Sequence, residues 1–154
     1  KRHTVHFILS RGIMDEFRTH VGLSHLAEST RYCNYSKDKF GSELAFIIPC
    51  LIGEKQENTS LEDRDICGNT YADLCFKENL AKAERAYFTL IKEGWTPQQA
   101  RDILPLSVKS ELISCGFKDA WDNFFYRRCA NDAHPMAREI AIPLSNKFKT
   151  NKYF

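Results

Sequence analysis

The chain has 154 residues, of which 43% are hydrophobic, 27% charged and 12% aromatic. That balance suits an ordinary globular domain with its own core and excludes a disordered chain. A net charge of +2 is too small to point to a nucleic-acid partner, and no apolar run reaches membrane-spanning length.

Lys1 to Ser10 reads as a strand, with Val5, Phe7 and Leu9 alternating against Thr4, His6, Ile8 and Ser10. The given residues open on this strand, and no leader is expected. A partner for it is therefore expected in a missing N-terminal portion or in another subunit. After Arg11-Gly12, the spacing of Ile13, Phe17 and Val21 predicts a short helix to about Val21, closed by Gly22. Glu28 to Tyr35 reads as a polar loop or short strand. Glu43 to Ile48 reads as a strand that stops at Pro49. Gly53 to Asp65 is charged and reads as a surface loop.

Thr70 to Glu93 carries Leu74, Leu80, Ala83, Tyr87, Leu90 and Ile91 at helical spacing, with Gly94 as the stop. Thr96-Pro97-Gln98-Gln99 is a helix start, with Thr at N-cap, Pro at N1 and Gln at N3. The short helix it opens runs from Pro97 to Leu104. Ser107 to Ser114 alternates as a strand. Phe117 to Arg128 predicts a helix whose stripe is Phe117, Trp121, Phe124 and Phe125, with Arg128 one turn beyond Phe124. His134-Pro135 opens the last helix, with Met136, Ile140, Leu144 and Phe148 inward. Pro143 is expected to kink it and Lys147 to Phe154 to fray. Two or three strands with four or five helices make an α+β or mixed α/β protein, read as one domain over residues 1–154.

Six cysteines, at 33, 50, 67, 75, 115 and 129, show no C-x-x-C spacing. That argues against structural zinc, and the expectation is reduced thiols in a cytoplasmic protein. His20, His25 and His134 show no ligand spacing, so no metal site is expected. Serine-hydrolase, Rossmann and P-loop motifs are absent from the sequence.

The chemistry concentrates in Glu28-Ser29-Thr30-Arg31-Tyr32-Cys33-Asn34-Tyr35-Ser36-Lys37-Asp38-Lys39-Phe40-Gly41. A run this polar suits a pocket wall better than a core. Arg31 brings a fixed fork of donors and Ser29 a hydroxyl. Arg101 and Arg128 also lie beside apolar segments rather than in charge runs. Three arginines converging on one pocket would suit a phosphorylated metabolite; three unrelated surface arginines are the plainer alternative. Cys33 and Cys129 are rival candidates as nucleophiles beside cationic charge, although no paired His accompanies either.

The blocks Arg11-Gly12 through Phe40-Gly41, Pro97-Gln98-Gln99-Ala100-Arg101-Asp102-Ile103-Leu104-Pro105 and Trp121-Asp122-Asn123-Phe124-Phe125-Tyr126-Arg127-Arg128 resemble the flavin-dependent thymidylate synthase (ThyX) family in content, order and spacing. The resemblance covers nearly the whole chain. It implies a mixed α/β fold and a homotetramer with sites built between subunits. It implies dUMP as substrate and FAD, NADPH and methylenetetrahydrofolate as cofactors, in a reductive methylation that needs no enzyme thiol. No membrane and no nucleic acid are implied as partners. By matching position, Ser29 and Arg31 resemble the contacts to the dUMP phosphate. Arg101 resembles a nucleotide-binding arginine, and Arg128 the catalytic arginine that polarises the pyrimidine. His20, Asn123 and Glu28 resemble cofactor-side residues.

Where the family carries Arg-His-Arg-x-x-Ser, this chain has Thr19-His20-Val21-Gly22-Leu23-Ser24. Arg18, one place early, points roughly 100° away on a helix. Lys118 and Asp119 stand where the family places another flavin-facing arginine. The nucleotide side thus looks kept and the flavin side eroded. The alternative to an active enzyme is a non-catalytic relative that binds a pyrimidine nucleotide, in sensing or assembly, with flavin binding lost. A third reading is a flavin-independent activity on a different pyrimidine.

Overall fold

The computed structural model describes residues 1–36, 43–52 and 71–150. In chain order these form β1 (Arg2–Ser10), α1 (Arg11–Phe17), β2 (Ser24–Ala27), α2 (Tyr71–Lys92) and α3 (Pro97–Ala100). A 3-10 turn (Arg101–Ile103), β3 (Lys109–Phe117), α4 (Lys118–Arg128) and α5 (Pro135–Thr150) follow. Helices beside a three-stranded sheet make the fold α+β, as the sequence predicts. The chain divides into two compact units, residues 1–28 with 110–154, and residues 29–109.

The first unit is built on the sheet, whose order is β1-β3-β2, so β1 pairs with β3 of the same chain and not, as the sequence suggested, with a missing portion or another subunit. β2 runs antiparallel to β3, with Ser24 opposite Cys115 and Leu26 opposite Ile113. Alternation turns His3, Phe7 and Leu9 of β1 inward, and Ser110, Leu112 and Ser114 of β3. The buried serines are engaged: the Ser110 hydroxyl reaches Met14 Sδ at 3.2 Å and Ser114 Oγ meets His25 Nδ1 at 2.9 Å. Trp121 centres the core, fully buried, with the rings of Phe7, Phe124, Phe125 and Phe148 within 6.2 Å of its centroid. Its indole N–H, which burial would leave unsatisfied, donates to the His3 carbonyl at 3.1 Å. α5 buries the small residues Ala137, Ala141 and Ser145, flanked by the half-buried Met136, Ile140, Leu144 and Phe148.

The second unit packs Tyr35, Leu44, Tyr87, Ala100 and Val108 together. α2 contributes Leu80 and Tyr87 and ends before Gly94, whose φ of +94° is the left-handed stop that glycine supplies. α3 starts where the sequence places it. Gln99 Oε1 accepts from the Thr96 amide at 2.9 Å and from its hydroxyl at 2.8 Å.

Several expectations are corrected. α1 stops at Phe17, one turn short of Val21. The Thr19 hydroxyl takes the Glu16 carbonyl and the His20 amide reaches back only three residues to the Phe17 carbonyl, closing the helix early. Val21 is 89% exposed and lies outside the helix. Ser24–Ala27 is a strand that the sequence pattern did not single out; four residues offer too little alternation to read. Glu43 to Ile48 forms only an isolated bridge, Phe46 to Val108, not a strand. β3 continues to Phe117, which is 55% exposed and serves as the N-cap of α4, not as part of its stripe. Leu74 of α2 is exposed rather than inward. α5 continues through Pro143 to Thr150, so Lys147 to Thr150 are helical and not frayed; Pro143 itself is exposed. Gly53 to Asp65 and residues 151–154 lie outside the described residues.

Candidate functional site

In the first unit, Arg128 is the best-held polar side chain of the predicted site. The aromatic stripe of α4 buries Phe124 and Phe125 and carries Arg128 in at the helix end, half-buried. Its Nε donates to His20 Nε2 at 2.7 Å. One terminal nitrogen donates to Glu16 Oε2 at 2.7 Å, and the other to the Glu16 main-chain carbonyl at 2.8 Å. The guanidinium carbon also stands 5.9 Å from the Phe17 ring centre. Each of the three guanidinium nitrogens is thus engaged, and two of the five N–H donors remain, one on each terminal nitrogen.

His20 is buried, with its ring edge-on to Phe124 at 4.9 Å. Its amide donates to the Phe17 carbonyl at 3.2 Å. Its own carbonyl accepts from His25 Nε2 at 3.3 Å. Burial above all, then Arg128, Arg127 and His25, push its pKa from 6.5 down to about 4. The imidazole is therefore neutral at physiological pH. Because arginine only donates, Nε2 must be the bare acceptor and the ring proton must sit on Nδ1.

In the second unit, Ser29 and Arg31 share one turn, and Arg101 opens the 3-10 turn that follows α3. The chain turns at Ser29, whose carbonyl accepts from the amides of Tyr32 and Cys33 and whose hydroxyl accepts from the Arg31 amide at 3.3 Å. Arg31 Nε donates to Gln98 Oε1 at 3.0 Å. Its guanidinium carbon is 5.3 Å from the Tyr32 ring centre. Gln98 precedes Arg101 by three residues on a continuous helical path, so the two share a face. Arg31 is thereby tied to the helix face that presents Arg101. Arg101 Nε stands 3.7 Å from Asp102 Oδ1. Arg31 is exposed and its terminal nitrogens make no hydrogen bond among the described residues.

The remaining predicted residues fall elsewhere. Glu28 is half-buried at the end of β2, where its amide donates to the Glu111 carbonyl and its carbonyl accepts from Arg11 at 3.3 Å. Asn123 is exposed on α4, about 140° around the helix from Arg128. His20 and Arg128 are therefore brought together, and Arg31 is joined to Gln98, three residues before Arg101. Asn123 is not brought to Arg128.

The side chains that replace the family's arginines do not fit the flavin diphosphate. The Thr19 hydroxyl is committed to the Glu16 carbonyl at 2.7 Å. Val21 presents only carbon. Arg18 is paired with Asp15 at 3.1 Å and Lys118 with Asp122 at 2.5 Å. Asp119 lies in the first turn of α4, where a carboxylate suits the helix dipole but repels an anion. Cys75, Cys115 and Cys129 carry free thiols. Burial raises the Cys129 thiol above its ordinary pKa, only partly offset by Lys149 and Arg138, so it stays protonated and a poor nucleophile. No group of His, Cys, Asp and Glu able to hold a metal occurs among the described residues. No described helix is long and apolar enough to cross a membrane.

Two residues were missed by sequence reasoning. Glu16 stands four before His20, a spacing that could have flagged a shared partner. Gln98 stands three before Arg101, but it was read only as part of a helix start.

An α+β fold carrying a half-buried arginine–histidine–glutamate cluster and a serine–arginine turn tied to a short helix fits a protein that handles a small anionic, planar metabolite. The chain belongs to the thymidylate synthase complementing protein family, the flavin-dependent thymidylate synthases, whose family model matches residues 2–151. Membership carries a thymidylate synthase-like function in general, on a nucleotide substrate and with flavin-dependent catalysis as the family's rule. No curated protein matches the chain.

Proposed function

We propose that this chain binds dUMP or a related pyrimidine nucleotide and serves in the reductive methylation of dUMP to dTMP. Ser29, Arg31 and Arg101 hold the phosphate, and Arg128 polarises the pyrimidine ring. The observation that carries this is the Arg31–Gln98 bond at 3.0 Å. It spends Nε on orientation and leaves both terminal nitrogens for an anion, on the helix face that presents Arg101. A serine hydroxyl stands two residues away. This is a donor set suited to a phosphate monoester. On this reading the Arg128 fork meets a carbonyl oxygen of the base, where negative charge develops during methylation. Methylenetetrahydrofolate as carbon donor, NADPH as reductant, homotetrameric assembly, a single functional domain and a cytoplasmic setting come with the family reading. Glu28 and Asn123 stay cofactor-side candidates. FAD would supply hydride, but no residue here is given the task of holding its diphosphate.

Calorimetry with dUMP tests the nucleotide reading. Binding is expected, and Arg31→Ala is expected to weaken it on the order of thirtyfold, the weight of one charge-assisted contact. No heat at millimolar dUMP, with Arg31→Ala behaving identically, overturns it. A second reading, nucleotide binding with flavin binding lost, is favoured by the committed Thr19 hydroxyl and the exposed Val21. A purified protein that absorbs in the flavin band and converts dUMP to dTMP removes that second reading.

A further inference from the structure

We propose that Glu16 is the positioning residue of Arg128. This rests on the reading that Arg128 meets the pyrimidine. Glu16 holds the guanidinium from two directions, through Oε2 at 2.7 Å and through its main-chain carbonyl at 2.8 Å. His20 Nε2 supplies the third acceptor at 2.7 Å. Three acceptors on three different nitrogens fix both the position and the plane of the fork. The arginine then presents its two remaining N–H donors without having to order a long side chain when ligand arrives.

The sequence makes this device local at one end and long-range at the other. Glu16 and His20 sit on and just after α1, and the early closure of that helix turns the Glu16 carbonyl outward as an acceptor. The Thr19 hydroxyl shares that carbonyl at 2.7 Å. Arg128 arrives from the end of α4, 112 residues away in the chain. The ion pair is half-buried, with the Arg128 and Glu16 side chains 19% and 36% exposed, so it is less screened than a surface pair. The Glu16 carboxylate also tempers the charge of Arg128. The fork can therefore donate to a neutral carbonyl oxygen without becoming a strong trap for any passing anion.

The test pairs a ligand-free readout with a ligand-dependent one, both on the full chain. In nitrogen-15 NMR, the Arg128 Nε–H signal, identified by its loss in Arg128→Lys, is expected to exchange slowly with solvent. His20 should show a bare Nε2 and a protonated Nδ1. Glu16→Ala should return the Nε–H to fast exchange, and Glu16→Gln should retain much of the protection. A wild-type Nε–H that exchanges like a free surface guanidinium overturns the proposal, whatever ligand binds. In calorimetry, Glu16→Ala is expected to weaken dUMP about tenfold. It should leave 2-deoxyribose 5-phosphate, which lacks the base, unchanged. Equal losses for both ligands, or no loss for dUMP, overturn the positioning role. If Glu16→Ala does not fold, Glu16→Gln carries the same comparison with a smaller expected loss. If wild type binds no dUMP at all, the nucleotide reading fails by itself, and the NMR result still decides whether Glu16 holds Arg128.

Discussion

His20 is buried, with an arginine donating to one of its nitrogens, and both facts disfavour a second ring proton. Its pKa in the folded chain, about 4, lies below the ordinary 6.5. The sign follows directly. Above pH 6.5 the ring is neutral in both folded and unfolded chains, and the full stability is present. As pH falls from 6.5 through about 4, the unfolded chain takes up a proton that the folded chain refuses, and stability is lost, by about 3 kcal/mol over the window. Denaturation between pH 7.5 and 4 should show this loss in wild type and not in His20→Gln, whose amide oxygen can still accept from Arg128. Titration of His20 by NMR should also move upward in Arg128→Ala, while staying under 6.5 because burial remains. A wild-type midpoint near 6.5 would contradict the cluster.

Between α1 and β2 the chain has six residues in which to close a helix, bury His20 and enter the sheet. Gly22 makes this feasible, with φ at +93° and space so tight that an added Cβ would stand 3.1 Å from Ala120 Cβ. Gly22→Ala is therefore expected to cost about 1–2 kcal/mol, read as a lowered midpoint in thermal or urea unfolding. An unchanged midpoint would mean that the turn is not held as described. At this scale the sequence was legible where a stop is chemical. Gly94, Thr96-Pro97 and Pro105 all marked boundaries, because left-handed φ, capping and a missing amide act locally. It was not legible where a stop is made by hydrogen bonds that compete with the pattern. α1 ends before Val21 because the Thr19 hydroxyl and the His20 amide satisfy the Glu16 and Phe17 carbonyls from only three residues on. Glu43 to Ile48 has a strand's composition but meets β-type pairing only at Phe46, so packing in the second unit overrides propensity.

Over the whole molecule, membership in the thymidylate synthase complementing family sits beside a stretch, Thr19 to Ser24, without the arginines that the resemblance would place against flavin. That difference is testable by substitution. Thr19 is exposed and Val21 is 89% exposed, so neither substitution disturbs a core. Thr19→Arg combined with Val21→Arg is expected to tighten FAD on the order of thirtyfold for each arginine that reaches the diphosphate. Titration of the flavin absorbance and fluorescence measures it. No gain in the double variant would mean that positions 19 and 21 do not face the flavin in this protein.

Sequence alone determined the α+β class, most element positions, the polar turn at Ser29 to Arg31 and the place of Arg128 on the aromatic stripe of α4. These are local properties, set by side-chain period, capping chemistry and backbone limits over a few residues. Tertiary structure alone decided which acceptors hold Arg128, that His20 is buried and neutral, that Gln98 orients Arg31, and that Trp121 reaches the His3 carbonyl 118 residues away. Such pairings depend on how distant segments pack, and a hydrogen bond of 2.7 Å has no signature in the order of residues.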